Sequence, residues 1–225
     1  MNPLPFQVLY EDNHLLVVVK PAGLPTMGTP GGQPTLLTLC KDYVKERYRK
    51  PGNVYLGIMS RLDAPVSGVV LLARTSKAAA RLTEQFRTHT VEKTYWAIVE
   101  GHIEPTAGRL VDWLGQDERH RRMHIVGSTL PDAREARLSY RRVELVGDNS
   151  WVEVNLETGR KHQIRLQLAH HGHPIVGDRK YGSRLPFPAG IALHARRLVV
   201  AHPTTCDTMT FEAPPPASWR RHGIR

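Results

Sequence analysis

Two short runs, Leu15–Val19 and Val69–Ala73, contain no polar side chain. An alternating strand buries one face; an unbroken run of valine and leucine suits a strand covered on both. Both runs fall far short of the roughly 18–20 apolar residues that span a bilayer. A chain of 225 residues can supply such cover. It buries about 70% of its unfolded surface and needs neither metal nor disulfide to hold a core. With 40% apolar and 23% charged residues, disordered, collagenous and coiled-coil chains are excluded.

Around these runs the pattern is mixed. Phe6–Lys20 reads as two strands turning at Asp12-Asn13, and Pro21 to Gly32 as loop. Thr35 can cap a helix carrying Leu36, Cys40, Tyr43 and Val44, with Pro51-Gly52 past its end. A short strand at Tyr55–Met59 precedes the loop Ser60–Ser67. Ser76 caps a second helix with Leu82 and Phe86 one turn apart, and Thr94–Val99 is a strand. Asp117–His124 is basic, polar and expected to be exposed. Val152, Val154 and Leu156 alternate with polar residues after the turn Gly147–Ser150, which marks a strand with one wet face. Lys161–His171 reads as a helix stopped by Gly172. Strands near Leu198–Ala201 and Met209–Glu212 and a basic tail, Arg220–Arg225, close the chain. Strands outnumber helices and short turns join neighbours, so the expected class is α+β with mainly antiparallel pairing. No composition shift marks a boundary, and residues 1–225 are expected to form one domain.

The opening, MNPLPFQVLYED, lacks the basic start and apolar stretch of a secretory signal, so a cytoplasmic location is expected. Cys40 and Cys206 are too few for a disulfide framework or a cysteine-rich zinc site. Lys and Arg total 31 against 21 Asp and Glu, a net charge of +10. That is the electrostatic footprint of a nucleic-acid binder, although many proteins are basic for solubility alone.

Two segments can carry chemistry. Arg61-Leu62-Asp63 sits on a loop between apolar strands, where a carboxylate is either a catalytic group or the cap of a turn. Residues 157–167, Glu-Thr-Gly-Arg-Lys-His-Gln-Ile-Arg-Leu-Gln, pass from strand to helix. Arg160, Lys161, His162 and Arg165 crowd the helix start, where positive charge opposes the macrodipole. The cluster could receive an RNA phosphate or a buried carboxylate. Ile164 and Leu168 have the spacing of an ordinary buried stripe. His162, His170, His171 and His173 lack a carboxylate at a familiar spacing, and His120 with His124 has the same defect. None of them reads as a metal site. Cys40 reads as core packing.

In order, these segments resemble the RluA-type family of RNA pseudouridine synthases. The resemblance spans about residues 7–216. VLYEDNHLLVVVKPAGL is similar to the family's opening, and SRLDAPVSGVVLLART resembles its catalytic loop, His-Arg-Leu-Asp-x-x-Thr-Ser-Gly. EKTYWAIVEG resembles the segment with its conserved tyrosine. LETGRKHQIRLQLAHHGHPIVGDRKYG and LHARRLVVAHP are similar to its later motifs. Five segments in the right order are far more specific than any tripeptide.

The resemblance implies a catalytic Asp63, a stacking Tyr95 and a basic partner at Arg165. It also implies a mixed, mostly antiparallel sheet flanked by helices with a central RNA cleft, and neither cofactor nor metal. A single catalytic domain without the N-terminal RNA-binding module of some relatives is expected, acting as a monomer on structured RNA, either ribosomal or transfer. Arg61, Arg121, Arg122, Arg160, Lys161 and His162 would bind that RNA. Ser60 stands where the family usually has His, Val66 where it has Thr, Ala64-Pro65 where it has a charged pair, and Gln167 where His is frequent. These departures bear on the loop's rigidity and hydrogen bonds more than on the reaction type. Two other functions fit the same residues: an RNA binder without turnover, and a glycosidase in which water intercepts the sugar.

Overall fold

The computed structural model describes residues 4–28, 32–117 and 122–224. The chain starts with strands β1 (Gln7–Glu11) and β2 (Leu15–Lys20), followed by helix α1 (Leu36–Arg47). Strands β3 (Gly57–Ile58) and β4 (Ser67–Ala73) lead to helix α2 (Ser76–Arg87). Five strands follow: β5 (Glu92–Glu100), β6 (Ala107–Asp117), β7 (Arg122–Ile125), β8 (Arg134–Val146) and β9 (Asn149–Leu156). Helix α3 (Gln163–His170) and strands β10 (Leu193–Ala201) and β11 (Thr208–Glu212) complete the order. The class is α+β, as expected. These elements divide into two compact units, one drawn from Met1–Val91 and Ala195–Pro216, the other from Glu92–His194 and Ala217–Arg225. Composition does not change at residues 91–92 or 194–195.

In the first unit the strand order is β1-β2-β4-β10, with β11 on β10 and β3 on β4. β2 and β4 are the two apolar runs, antiparallel, with Val17 opposite Leu71 and Val19 opposite Val69. Their burial on both faces is nearly complete. Leu15, Val17, Val69 and Leu71 pack with Ala78 and Leu82 of α2 and with Leu198, Val200 and Phe211. Each such valine, leucine or phenylalanine contributes about 1.5–3 kcal/mol. Gly68 cannot be replaced here: its φ is +123°, and an added Cβ would lie 2.3 Å from the Ala195 carbonyl oxygen.

Caps behave largely as the sequence implies. Thr35 accepts from the Thr38 amide at the start of α1. The cap of α2 is Thr75, one residue before the expected Ser76, accepting from the Ala78 amide. The strand expected at Tyr55–Met59 shrinks to Gly57–Ile58, and Tyr55 is exposed. The two turns that close the sheet are tied together: Asp12 accepts from the His14 and Leu15 amides, the Tyr10 hydroxyl and His202 Nε2. His202 Nδ1 accepts from the Thr204 and Thr205 amides, which leaves the proton on Nε2. Cys40 is fully buried, and burial pushes its thiol up to about 12.

The second unit is an antiparallel sheet in the order β5-β9-β8-β6-β7. The β8–β9 hairpin turns at Gly147, whose φ is +58°. β6 and β8 were not anticipated from the sequence. Ala136, Leu138 and Tyr140 do alternate inward, but the intervening and following arginines hide the period. Of the stretch expected as an exposed basic loop, Arg122–Ile125 pairs with β6 and Met123 is buried; Arg121 and His120 lie outside the described residues. Leu114, Met123, Ala136, Leu166 and Tyr181 form a small core beneath α3. The helix begins at Gln163 rather than Lys161 because His162 has φ +55°, outside the helical region. Gly172, φ +89°, stops it as expected. Within the basic tail Ile224 is buried, as is Trp219 just before it, which packs edge-on to Phe187 and His194; Arg225 lies outside the described residues.

Candidate active site

In the first unit the Ser60–Ser67 loop is held on both sides of Asp63. Before it, the buried Thr26 hydroxyl donates to the Leu62 carbonyl at 2.7 Å and accepts from the Leu62 amide at 3.2 Å. After it, the Ala64 carbonyl accepts from the Gly23 amide at 2.7 Å and from Lys20 Nζ at 3.1 Å. The Val66 amide returns to the Asp63 carbonyl at 3.0 Å, closing the turn. A residue whose neighbours are pinned this way has little backbone freedom. Asp63 is half-buried and Arg61 exposed.

Near Asp63, sequence reasoning assigned Lys20 no part. It ends β2 with no exposed surface, and its ammonium also donates to the carbonyls of Pro21 at 2.8 Å and Leu24 at 2.7 Å. Burial pulls it down to about 8, against the Asp63 charge, which raises it. A buried ammonium beside a carboxylate is an electrostatic partner for it. The signal lay in the sequence: a lysine ending an apolar run immediately before Pro21.

The loop's departures acquire structural roles. Ser60 Oγ accepts from the Leu71 amide at 3.0 Å. Val66 is buried and apolar, filling space. Gln167 is fully buried; its amide donates to Asp112 at 2.8 Å and to the Ala136 carbonyl at 3.2 Å, and it accepts from Gln163.

In the second unit Tyr95 lies on β5 opposite Val154, half-buried. Lys93, two residues earlier, shares its face of the strand. Burial lowers the Lys93 ammonium below its usual range. Helix α3 has no side-chain cap, and Gln163 organises its entry instead. Its side chain accepts from the Thr158 hydroxyl at 2.8 Å and the Arg160 amide at 3.0 Å, and donates to the Arg137 carbonyl.

The four basic residues at this entry separate. Arg160 is exposed, with Nε donating to the Glu135 carbonyl, and Lys161 is exposed. Arg165 is buried and takes a buried carboxylate, that of Asp178. Its Nε and Nη2 donate to Asp178 Oδ2 and Oδ1 at 2.7 and 2.8 Å. The Tyr181 ring lies 5.1 Å from the guanidinium carbons of both Arg165 and Arg122, and its hydroxyl is 2.7 Å from His162 Nδ1. Arg122, His162 and Arg165 are thus gathered around one tyrosine. Burial pushes that phenol above its ordinary range. Asp178 and Tyr181 read as loop punctuation beside Gly177 and Gly182, so sequence reasoning assigned them no part.

His171 engages Asp112 at 3.3 Å and His173 the Glu100 carbonyl at 3.0 Å, while the His170 ring lies edge-on to that of His171. Among the described residues no cluster of His, Cys, Asp and Glu could hold a metal ion. No helix among them is long and apolar enough to cross a membrane.

This architecture is shared. The solved structure of human RNA Pseudouridylate Synthase Domain Containing 4 superposes with a TM-score of 0.80 at 25% identity, covering 97% of this chain and 94% of that one. A family model described as RNA pseudouridylate synthase matches residues 14–170. The chain belongs to the RNA pseudouridine synthases, isomerases that act on RNA. Among curated relatives, the ribosomal large subunit pseudouridine synthase D of Xanthomonas campestris is 36% identical over 97% of this chain and 68% of its own length. The dual-specificity RNA pseudouridine synthase RluA of Haemophilus influenzae is 34% identical, covering 92% of this chain and 91% of that protein.

Proposed function

We propose that the chain converts specific uridines of structured ribosomal or transfer RNA to pseudouridine, with Asp63 as its catalytic carboxylate. The observation that carries this reading is the clamped loop: Asp63 sits between two pinned residues, with the buried Lys20 ammonium acting on its charge. The names of the relatives support the substrate class, one being a large-subunit ribosomal enzyme and another a dual-specificity one.

The reaction breaks the bond from ribose C1′ to N1 of uracil, turns the base, rejoins it through C5 and removes the C5 proton. Asp63 acts at the sugar, as nucleophile at C1′ or as base toward C2′. Tyr95 stacks on the base, its flat face suiting contact and its hydroxyl suiting proton movement. Arg165 stabilises negative charge on the detached base. The uridine must leave its stack, which costs a few kcal/mol. Arg61 fills the vacated place or holds a flanking phosphate. Arg121, Arg122, Arg160, Lys161 and His162 supply backbone affinity, so binding weakens as salt rises. The protein works as a monomer in the cytoplasm.

RNA labelled with tritium at uracil C5 tests this. The isomerase releases label to water and leaves the RNA intact; Asp63→Asn lowers release by at least about a thousandfold while RNA binding persists. Full turnover in that variant would remove Asp63 from the chemistry. Absence of release by the wild type would favour a binding role, and free labelled uracil a glycosidase. Mapping pseudouridine in cellular RNA with and without the protein names the substrate.

A further inference from the structure

We propose that Asp178 is a positioning residue for Arg165, setting the orientation in which that guanidinium serves the reaction; this rests on the role proposed for Arg165 above. The two side chains are 1% and 6% exposed, and two parallel hydrogen bonds of 2.7 and 2.8 Å join them. A fork of this kind fixes both the plane of the guanidinium and its rotation within that plane. Tyr181 lies across one face, and its own hydroxyl is held by His162 Nδ1 and the Met123 amide.

Asp178 is itself immobile. Its amide donates to the Ile175 carbonyl at 2.9 Å, and its carbonyl accepts from the Tyr181 and Ser183 amides at 3.0 and 3.1 Å. The short 3-10 turn Arg179–Tyr181 therefore carries both the carboxylate that grips one edge of Arg165, at its N-cap, and the ring that covers its face. A buried ion pair adds little net stability, because desolvation offsets attraction, so stability alone does not account for this one. What the arrangement does supply is a single direction for the opposite edge of the guanidinium.

The test compares turnover per folded protein, below each variant's melting temperature. Asp178→Asn should lower kcat by about a hundredfold, the cost of misplacing a reacting group by an ångström, and leave KM within about threefold. In an Arg165→Lys background, which retains charge but cannot fork, Asp178→Asn should slow turnover no further. An unchanged kcat with a lower melting temperature, or equal losses in both backgrounds, would overturn the proposal. Asp178→Glu keeps the counter-charge on a longer arm and covers the case in which Asp178→Asn does not fold. Positioning predicts a kcat loss of about tenfold or more there, whereas charge balance alone predicts wild-type turnover. By NMR, one arginine Nε–H of the wild type should exchange slowly, vanish in Arg165→Lys and exchange fast in Asp178→Asn; persistence in Asp178→Asn would also overturn the proposal. A wild type that converts no uridine would sink the function proposed above, and the NMR measurement would still decide the fork.

Discussion

The two units hold their charged residues by opposite means. Around Asp63 the restraints run through backbone groups: a threonine hydroxyl on residue 62, and an amide and an ammonium on residue 64. Around Arg165 they run through side chains: a carboxylate fork, a ring and a glutamine network. Backbone restraints tolerate changes of side chain, so the loop can carry Ser60, Ala64, Pro65 and Val66 and stay in place. Side-chain restraints depend on the identity of each partner.

This contrast breaks first at Lys20. Lys20→Met strips a fully buried donor from three carbonyls and should cost about 3 kcal/mol of stability at neutral pH, read by chemical denaturation, with turnover falling more than tenfold. The pH dependence sharpens the same test. Lys20 falls to about 8 from an ordinary 10.5, so the folded state binds fewer protons than the unfolded state between those values. Stability from this group therefore rises with pH across the window, and the gap between wild type and Lys20→Met should widen from pH 8 to 10.5. A constant gap would mean that water reaches the ammonium.

Thr26→Val removes a reciprocal pair and should cost about 1–3 kcal/mol. Turnover should fall with it, because Leu62 adjoins Asp63; stability lost at full turnover would show that the clamp does not position the carboxylate. Smallest is Arg109→Gln, which removes a two-bond pair with Glu157. Arg109 is exposed and its pair screened by solvent, so the denaturation midpoint should match that of wild type. A clearly lower midpoint would mean that the surface pairs of the second unit are structural.

Where local chemistry decides an element, the sequence shows it: the apolar runs of β2 and β4, the Thr35 cap and the Gly172 stop. It hides elements whose burial depends on distant partners. β8 was missed because Arg137 and Arg141 alternate with its inward residues and Arg142 follows them. α3 starts late because His162 takes a left-handed backbone that its residue type does not announce. Lys20 and Asp178 were missed as site residues for a similar reason. A lysine after valines and an aspartate after glycine look like a strand end and a turn, until the chain brings Ala64 and Arg165 to them.

The boundary between the units is crossed three times, after residues 91, 194 and 216. Neither unit is therefore a continuous stretch of the gene. As the polypeptide leaves the ribosome, β4 must wait with one hydrogen-bonding edge covered only by the short β3 through more than a hundred residues before β10 is made to cover the rest. Trp219 is made only after every strand of its own unit. A ribosome stalled before residue 195 would present an unfinished sheet.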